Sequence, residues 1–308
     1  MGDHGHESSK SEKEIWESLP NLVGTEKGRA LYDLSNCAFE NGNFLRSLTF
    51  AESARDTFLE IDDKEGLANS YASVAYSHNS LKQMSLAIEQ MSLAVKSCEE
   101  GELPYVWDFR RRLATWLQNE ERYEESLIEI EACLEHELYE GCEVQAGFDL
   151  SAYAHGLCEL NRCEEAIEKY RKGRELFKKN TEVFRVAEDD YFIGRCFNHL
   201  KNGFEAEFFI LKALDAFECA GNLNRKAQAL SQLGRALIHQ NRFQEALVHL
   251  EESRSIVQAL GVPVNLRAVF VIQRNMIRAL KALGQDTSVL ERRNSVLNET
   301  LGIPEEDK

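Results

Sequence analysis

The chain alternates two apolar rhythms of helical period with short polar interruptions, and the alternation persists for most of its 308 residues. In the stretch from Leu233 to Ser253, Leu233, Leu237 and Ile238 lead into Gln240, Asn241 and Arg242, and Phe243, Ala246, Leu247 and Leu250 resume the period beyond them. Apolar residues spaced by three and four on either side of a polar turn predict a helical hairpin.

The hairpin recurs, and residue size recurs with it. Ser35, Ala75, Ala114, Ala154, Gly194 and Gly234 follow one another at intervals of 39 or 40 residues. Ser47, Ala87, Ser126, Ala166, Ala206 and Ala246 form a second column, and Ala54, Ala94, Cys133, Gly173, Ala213 and Ser253 a third. No large side chain interrupts any of the three. Where two helices cross at about 8–10 Å, only small groups fit at the contact, so these columns predict the crossings of six successive helix pairs. Bulky neighbours such as Leu34, Val74, Leu113, Tyr153, Ile193 and Leu233 fill the space beside them. Pro20, Pro104, Pro263 and Pro304 all fall outside the expected helix interiors, where a proline would remove a hydrogen bond and clash.

A small residue, a bulky one after the turn and small residues seven apart resemble the tetratricopeptide repeat, best matched by Leu233-Gly234, Phe243, Ala246 and Ser253. The copies of about 40 residues are similar to the long-repeat form of kinesin light chains, mitotic-orientation adaptors and bacterial peptide-receptor regulators. The resemblance implies an all-α, right-handed superhelical solenoid of antiparallel helix pairs, about seven repeats long, with a concave groove lined by the first helix of each pair. Residues 1–26 are expected to form a polar N-terminal segment and cap, with residues 1–14 disordered. Six hairpins occupy 27–263, a degenerate seventh at 264–302 caps the array, and 303–308 form a disordered tail. The seventh is aligned so that Ile277, Val289 and Val296 take the small columns.

Groove positions follow from that resemblance. The expected lining comprises Asn36, Tyr76, Arg111, Thr115, His155, Tyr191, Arg195, Asn198, Ser231, Arg235, Arg274, Arg278 and Lys281. Arg195, Arg235, Arg274, Arg278 and Lys281 compose a basic strip, suited to bidentate pairing with carboxylates. An acidic or C-terminal peptide is therefore the expected guest at repeats five to seven. Tyr32, Phe39 and Tyr76 suggest a more apolar end of the groove.

Composition narrows the function by exclusion. A formal net charge of −16 repels nucleic-acid phosphates and anionic lipid, so neither nucleic acid nor membrane is an expected partner. The first residues lack the apolar stretch of a secretory signal, no apolar run is long enough to span a bilayer, and the eight cysteines read as reduced and packed, so a cytoplasmic address is expected. Self-association of the array is left open.

No phosphate loop, nucleophile elbow or zinc-hydrolase helix occurs, and no enzyme activity or cofactor is expected. His155, Cys158 and Cys163 share a helix face and its following turn, but three donors make an incomplete structural zinc site, and no metal is expected. Gly2-Asp3-His4 offers a Cu(II)-type donor set if Met1 is removed, without a physiological role being assigned to it. The sequence thus reads as a non-catalytic adaptor binding a peptide or helix of a partner protein. The alternative is a peptide-responsive signalling or transcription-related regulator working through a change of superhelix shape. The 26 residues before the first repeat are too few for the DNA-binding or effector bundle that such relatives carry.

Overall fold

The computed structural model describes residues 12–260 and 266–302. The expected disorder at 1–11 and 303–308, Gly2-Asp3-His4, Pro263 and Pro304 lie outside the described residues. Among the described residues all regular structure is helical. A short helix α1 (Glu12–Ser18) and a 3-10 turn (Leu19–Asn21) precede α2 (Gly24–Glu40), α3 (Phe44–Glu60), α4 (Lys64–Ser80), α5 (Met84–Glu100), α6 (Val106–Asn119) and α7 (Tyr123–Glu140). Then come α8 (Glu143–Glu159), α9 (Cys163–Lys179), α10 (Val183–His199), α11 (Gly203–Cys219), α12 (Leu223–His239), α13 (Phe243–Leu260), α14 (Leu266–Ala282) and α15 (Ser288–Leu301). Helix begins at Glu12, so residues 12–14 are not disordered: buried Ile15 anchors α1 in a core with Leu31 and Leu34.

The chain folds as two compact units, residues 1–133 and 134–308, with α7 running through the boundary. Within each, successive helices pack as antiparallel hairpins: α2 on α3 and α4 on α5 in the first, α8 on α9, α10 on α11 and α12 on α13 in the second.

The small columns are the crossings. Ser35, Ala75, Ala114 and Ala154 are at most 2% exposed, and Gly194 and Gly234 are buried with them. A Cβ added to Gly234 would stand 2.5 Å from Leu250 Cγ, and one at Gly194 2.5 Å from Ile210 Cγ1. The second helix of each pair therefore presses directly on the backbone of the first. Where serine takes the place of alanine, its hydroxyl can find a buried partner: Ser35 donates to the Ser47 carbonyl at 2.9 Å, and Ser253 to the Ala227 carbonyl at 2.7 Å.

One turn geometry joins nearly every helix to the next. The second residue after the helix end adopts a left-handed conformation, as at Lys82, Asn161, Lys201 and Asn241 (φ of 62°, 59°, 58° and 60°), and the following amide reaches back five residues. Gln83 N donates to His78 O, Arg162 N to Leu157 O and Arg242 N to Leu237 O, each at 2.9 Å. This Schellman closure satisfies carbonyls that the helix end would otherwise orphan. It also reverses the chain within a few residues, which sets the hairpin.

The last pair departs from the expected register. Val289 and Val296 are 52% and 62% exposed rather than packed at crossings, and α15 contributes no buried residue. Helix α14 buries Phe270, Ile272, Met276 and Ala279, and α15 touches this core through half-buried Leu290. Among the described residues α15 packs on α14, and its valines face away from that contact.

Candidate functional site

The second unit contains a cavity of about 670 Å³ lined by residues of α8, α10, α12, α13 and α14. Helix α8 contributes His155, α10 contributes Tyr191, Phe192 and Arg195, and α12 contributes Arg225, Gln228, Ser231 and Gln232. Val257 and Leu260 of α13 and Arg267, Val271 and Ile272 of α14 complete the wall. The helices reach these positions because their small columns and bulky neighbours turn the opposite face into the hairpin stack, leaving this one open.

Phe192 organises the polar wall. The Arg195 and Arg225 guanidiniums stand 5.4 and 5.9 Å from its ring centroid, Tyr170 stacks on it at 5.4 Å, and Tyr191 meets it edge-on at 5.1 Å. Arg195 is further held by Glu159 at 2.9 Å, and Arg225 by Glu188 and by Gln228 at 3.1 Å. These contacts fix both cations against an aromatic face, where a guanidinium keeps donors for a further partner. Arg267 has no ion pair among the described residues.

Behind this wall the positive charge concentrates. Burial, then Arg274, Arg278 and Arg195, push the Arg235 guanidinium down to about 10. It remains charged at neutral pH, and the shift records burial first and like-charge repulsion second, of which an anion would relieve the latter. Arg235 Nε is buried without a hydrogen-bond partner. Three histidines share the field: burial and neighbouring arginines lower His155, His199 and His239 below the usual imidazole value, leaving them neutral near pH 7.

The structure brings together only part of the expected lining. His155, Tyr191, Arg195 and Ser231 face the cavity, and Arg235, Arg274 and Arg278 form the charge cluster beside Arg195. Lys281 is drawn away by Glu291 at 2.6 Å. Asn198 is fully buried and donates to the Gln232 carbonyl at 2.9 Å, so it ties α10 to α12 rather than lining an opening.

In the first unit, Asn36 and Tyr76 are half-buried, and Tyr76 packs edge-on against Trp116 at 5.7 Å. Arg111 approaches Asp108 at 3.5 Å, and the Thr115 hydroxyl donates to the Arg111 carbonyl at 2.8 Å. Phe39 packs on Phe44 at 5.3 Å, and Tyr32 joins the core around Leu31. These aromatics pack within the repeat stack.

Arg225, Gln228, Arg267 and Val271 were not among the expected positions. Continuing the groove face of α12 from Ser231 by three and then three or four residues reaches Gln228, Asn224 and Arg225. The same walk from Arg274 on α14 reaches Val271 and Arg267. The signal was present toward the N-termini of α12 and α14.

One buried acid has a pKa suited to proton transfer, yet its surroundings close it off. Burial pushes Asp189 up to about 7, although a hydrogen bond from the Ser151 hydroxyl at 2.8 Å opposes the rise. At 1% exposure it lies within the core.

No protein-family model and no curated protein matches the chain. Among solved structures, the apo form of RapI aligns with a TM-score of 0.67 at 16% identity, over 94% of this chain and 85% of that one. A Rap protein complexed with Competence and Sporulation Factor aligns with a TM-score of 0.55 at 14% identity, over 94% and 80%. YrrB, described as a TPR protein with an unusual peptide-binding site, aligns with a TM-score of 0.50 at 15% identity, over 67% and 92%. At these identities the likeness establishes the fold. Among the described residues, no helix is long and apolar enough to cross a membrane.

Proposed function

We propose that this chain, a helical repeat protein of the tetratricopeptide fold, is a non-catalytic adaptor that binds an acidic or C-terminal peptide of a partner protein in the cavity of its second unit. One observation carries the reading: in a chain of net charge −16, the described cavity wall presents Arg195, Arg225, Arg267 and His155 and no carboxylate. A surface selected only for solubility would mix the signs. The apolar part of the wall, Phe192, Val257, Val271 and Ile272, accepts one or two side chains beside the carboxylate, and the volume lies within the roughly 300–1,000 Å³ range of ligand pockets. Likeness to a protein described as having a peptide-binding site supports the same class of guest.

A second reading, a regulator whose shape changes with its guest, draws support from the likeness to a Rap protein in complex with a factor. Selection from a peptide library with free and amidated C-termini tests the shared claim. Acidic or free-carboxylate sequences should be enriched, and enrichment of basic sequences, or of none, would refute it. Solution scattering with the selected peptide then separates the two: an unchanged profile fits an adaptor, a changed one a regulator.

A further inference from the structure

Three cysteines meet at one corner of the second unit. Cys158 lies one residue before the end of α8, Cys163 opens α9 after the intervening turn, and Cys196 comes from α10. All three are buried, their sulfurs lie within 4.8 Å of one another, and the sulfurs of Cys158 and Cys196 are 2.7 Å apart. The repeat register gives no reason for the coincidence. Where this hairpin has Cys163 others carry Phe44, Met84, Tyr123, Gly203 or Phe243, and the place of Cys196 is taken by Cys37, Ser77, Trp116, Gly156 or Ala236. That of Cys158 is taken by Phe39, Asn79, Gln118 or Ile238. Cys37 repeats sulfur in one of these columns, but only here do all three columns supply it at a single point.

We propose that Cys158, Cys163 and Cys196 bind one thiophilic d10 metal ion, with His155 as the fourth donor when that ion is Zn(II). Sulfurs about 2.3 Å from a tetrahedral ion stand about 3.8 Å from one another. The Cys158–Cys196 separation of 2.7 Å must open by about 1 Å and no pair exceeds 4.8 Å, so small rotations about the Cα–Cβ bonds complete the site. His155 stands one helical turn before Cys158. Its Nδ1 is buried without a hydrogen-bond partner, and its Nε2 faces Glu159 Oε1 at 3.8 Å. At that distance no hydrogen bond holds the ring, and Glu159 Oε1 accepts instead from Arg195, so among the described residues the imidazole is free of a fixed partner on both nitrogens. The imidazole lies outside the sulfur cluster and must turn toward it.

Binding replaces three S–H protons with three metal–sulfur bonds and releases those protons to solvent, so affinity rises with pH. The Arg195 guanidinium, adjacent in sequence to Cys196, offsets the net negative charge of three thiolates around Zn(II). Cu(I) is satisfied by the three sulfurs alone and would leave His155 in the cavity wall. The site stands independently of the peptide reading, although the two share His155 and Arg195.

The test uses the full chain, reduced, stripped of metal and kept anaerobic. Titration with Zn(II) against a chromophoric chelator should show one equivalent bound, Co(II) should give sulfur-to-cobalt charge transfer with tetrahedral d–d intensity, and the melting midpoint should rise reversibly. Cys196→Ser should weaken binding by about 100-fold or more, beyond what loss of an outer-shell partner does. Substitution of exposed Cys142 by serine should change nothing. Melting curves of the metal-free variants distinguish lost binding from lost folding. His155→Ala should weaken Zn(II) and leave Cu(I) unaffected, and unchanged zinc affinity in that variant overturns the fourth-donor assignment. Absence of stoichiometric binding by the reduced wild type, or full binding by Cys196→Ser, overturns the site. So does isolation of a Cys158–Cys196 disulfide whose reduction yields a protein indifferent to both ions.

Discussion

Gly203 opens α11 at the point where the end of α12 crosses over it, and Gly203→Ala tests how tightly the hairpins nest. An added Cβ would lie 2.5 Å from the Ala236 carbonyl oxygen, 2.9 Å from Gln240 Cγ and 3.0 Å from His239 Cβ. Ordinary carbon–oxygen contacts begin near 3.3 Å, so the shortfall is about 0.8 Å. The oxygen cannot retreat, because it belongs to helical backbone and accepts from Gln240 N at 3.3 Å. Gln240 is itself tethered, its Nε2 donating to the Gly203 carbonyl at 3.0 Å and to Glu207 at 2.7 Å. The start of α11 must therefore lift from α12. Overpacking of this kind costs about 1–3 kcal/mol, and a first helical position recovers little of the roughly 0.5–1 kcal/mol that alanine gains over glycine mid-helix. For a unit of this size the melting midpoint should fall by about 2–12 °C, followed by circular dichroism. Gly221→Ala is the control: at φ 65° with nothing within 4 Å, it carries backbone strain alone. A Gly203→Ala midpoint equal to or above wild type would refute the crossing.

Other expectations rest on single groups. Thr181 is β-branched and held at φ 60°, so Thr181→Gly should stabilise the second unit by about 0.5–1 kcal/mol in urea titrations; destabilisation would contradict the strained turn. Asp189, pushed up to about 7 chiefly by burial, binds its proton more tightly when folded than its unfolded value of about 3.9 allows. Stability should therefore fall as pH rises from about 4 through 7, and Asp189→Asn should remove that fall; an unchanged pH profile would contradict it. His155, His199 and His239 are lowered by burial and by arginines, so they are neutral at pH 7 and begin to charge below about 6.5. In the free protein this protonation should erode stability as pH falls through that range, whereas an acidic peptide should bind more tightly at pH 5.5 than at 7.5. Weaker binding at the lower pH would contradict the shared field.

The architecture was legible because steric exclusion writes itself into composition: a column of Ala, Ser, Gly and Cys has few explanations besides two backbones in contact. The end of the array was not, because Val289 and Val296 answer to solvent rather than to a neighbour, and alignment by count assigned them a crossing that does not exist. The cavity was half legible. Walking one helix face found Arg195 and Ser231, but the walk stopped short of Arg225 and Arg267. It also admitted Asn198, whose amide turns inward to the Gln232 carbonyl. Spacing tied His155, Cys158 and Cys163 together because they share one hairpin. Cys196 belongs to the next, and only packing brings it within reach.

The central claim is that positive charge gathered beside the second unit's cavity selects an anionic guest. Calorimetric titration of a library-selected peptide against wild type and Arg267→Glu, a cavity-wall cation, tests it most directly. Reversal of a guanidinium that engages a carboxylate removes a charge-assisted interaction of about 1.5–3 kcal/mol, so affinity should drop by about 10-fold to 150-fold. The wild-type affinity should also weaken as salt is raised. Equal affinities for the two proteins, indifferent to salt, would contradict the account.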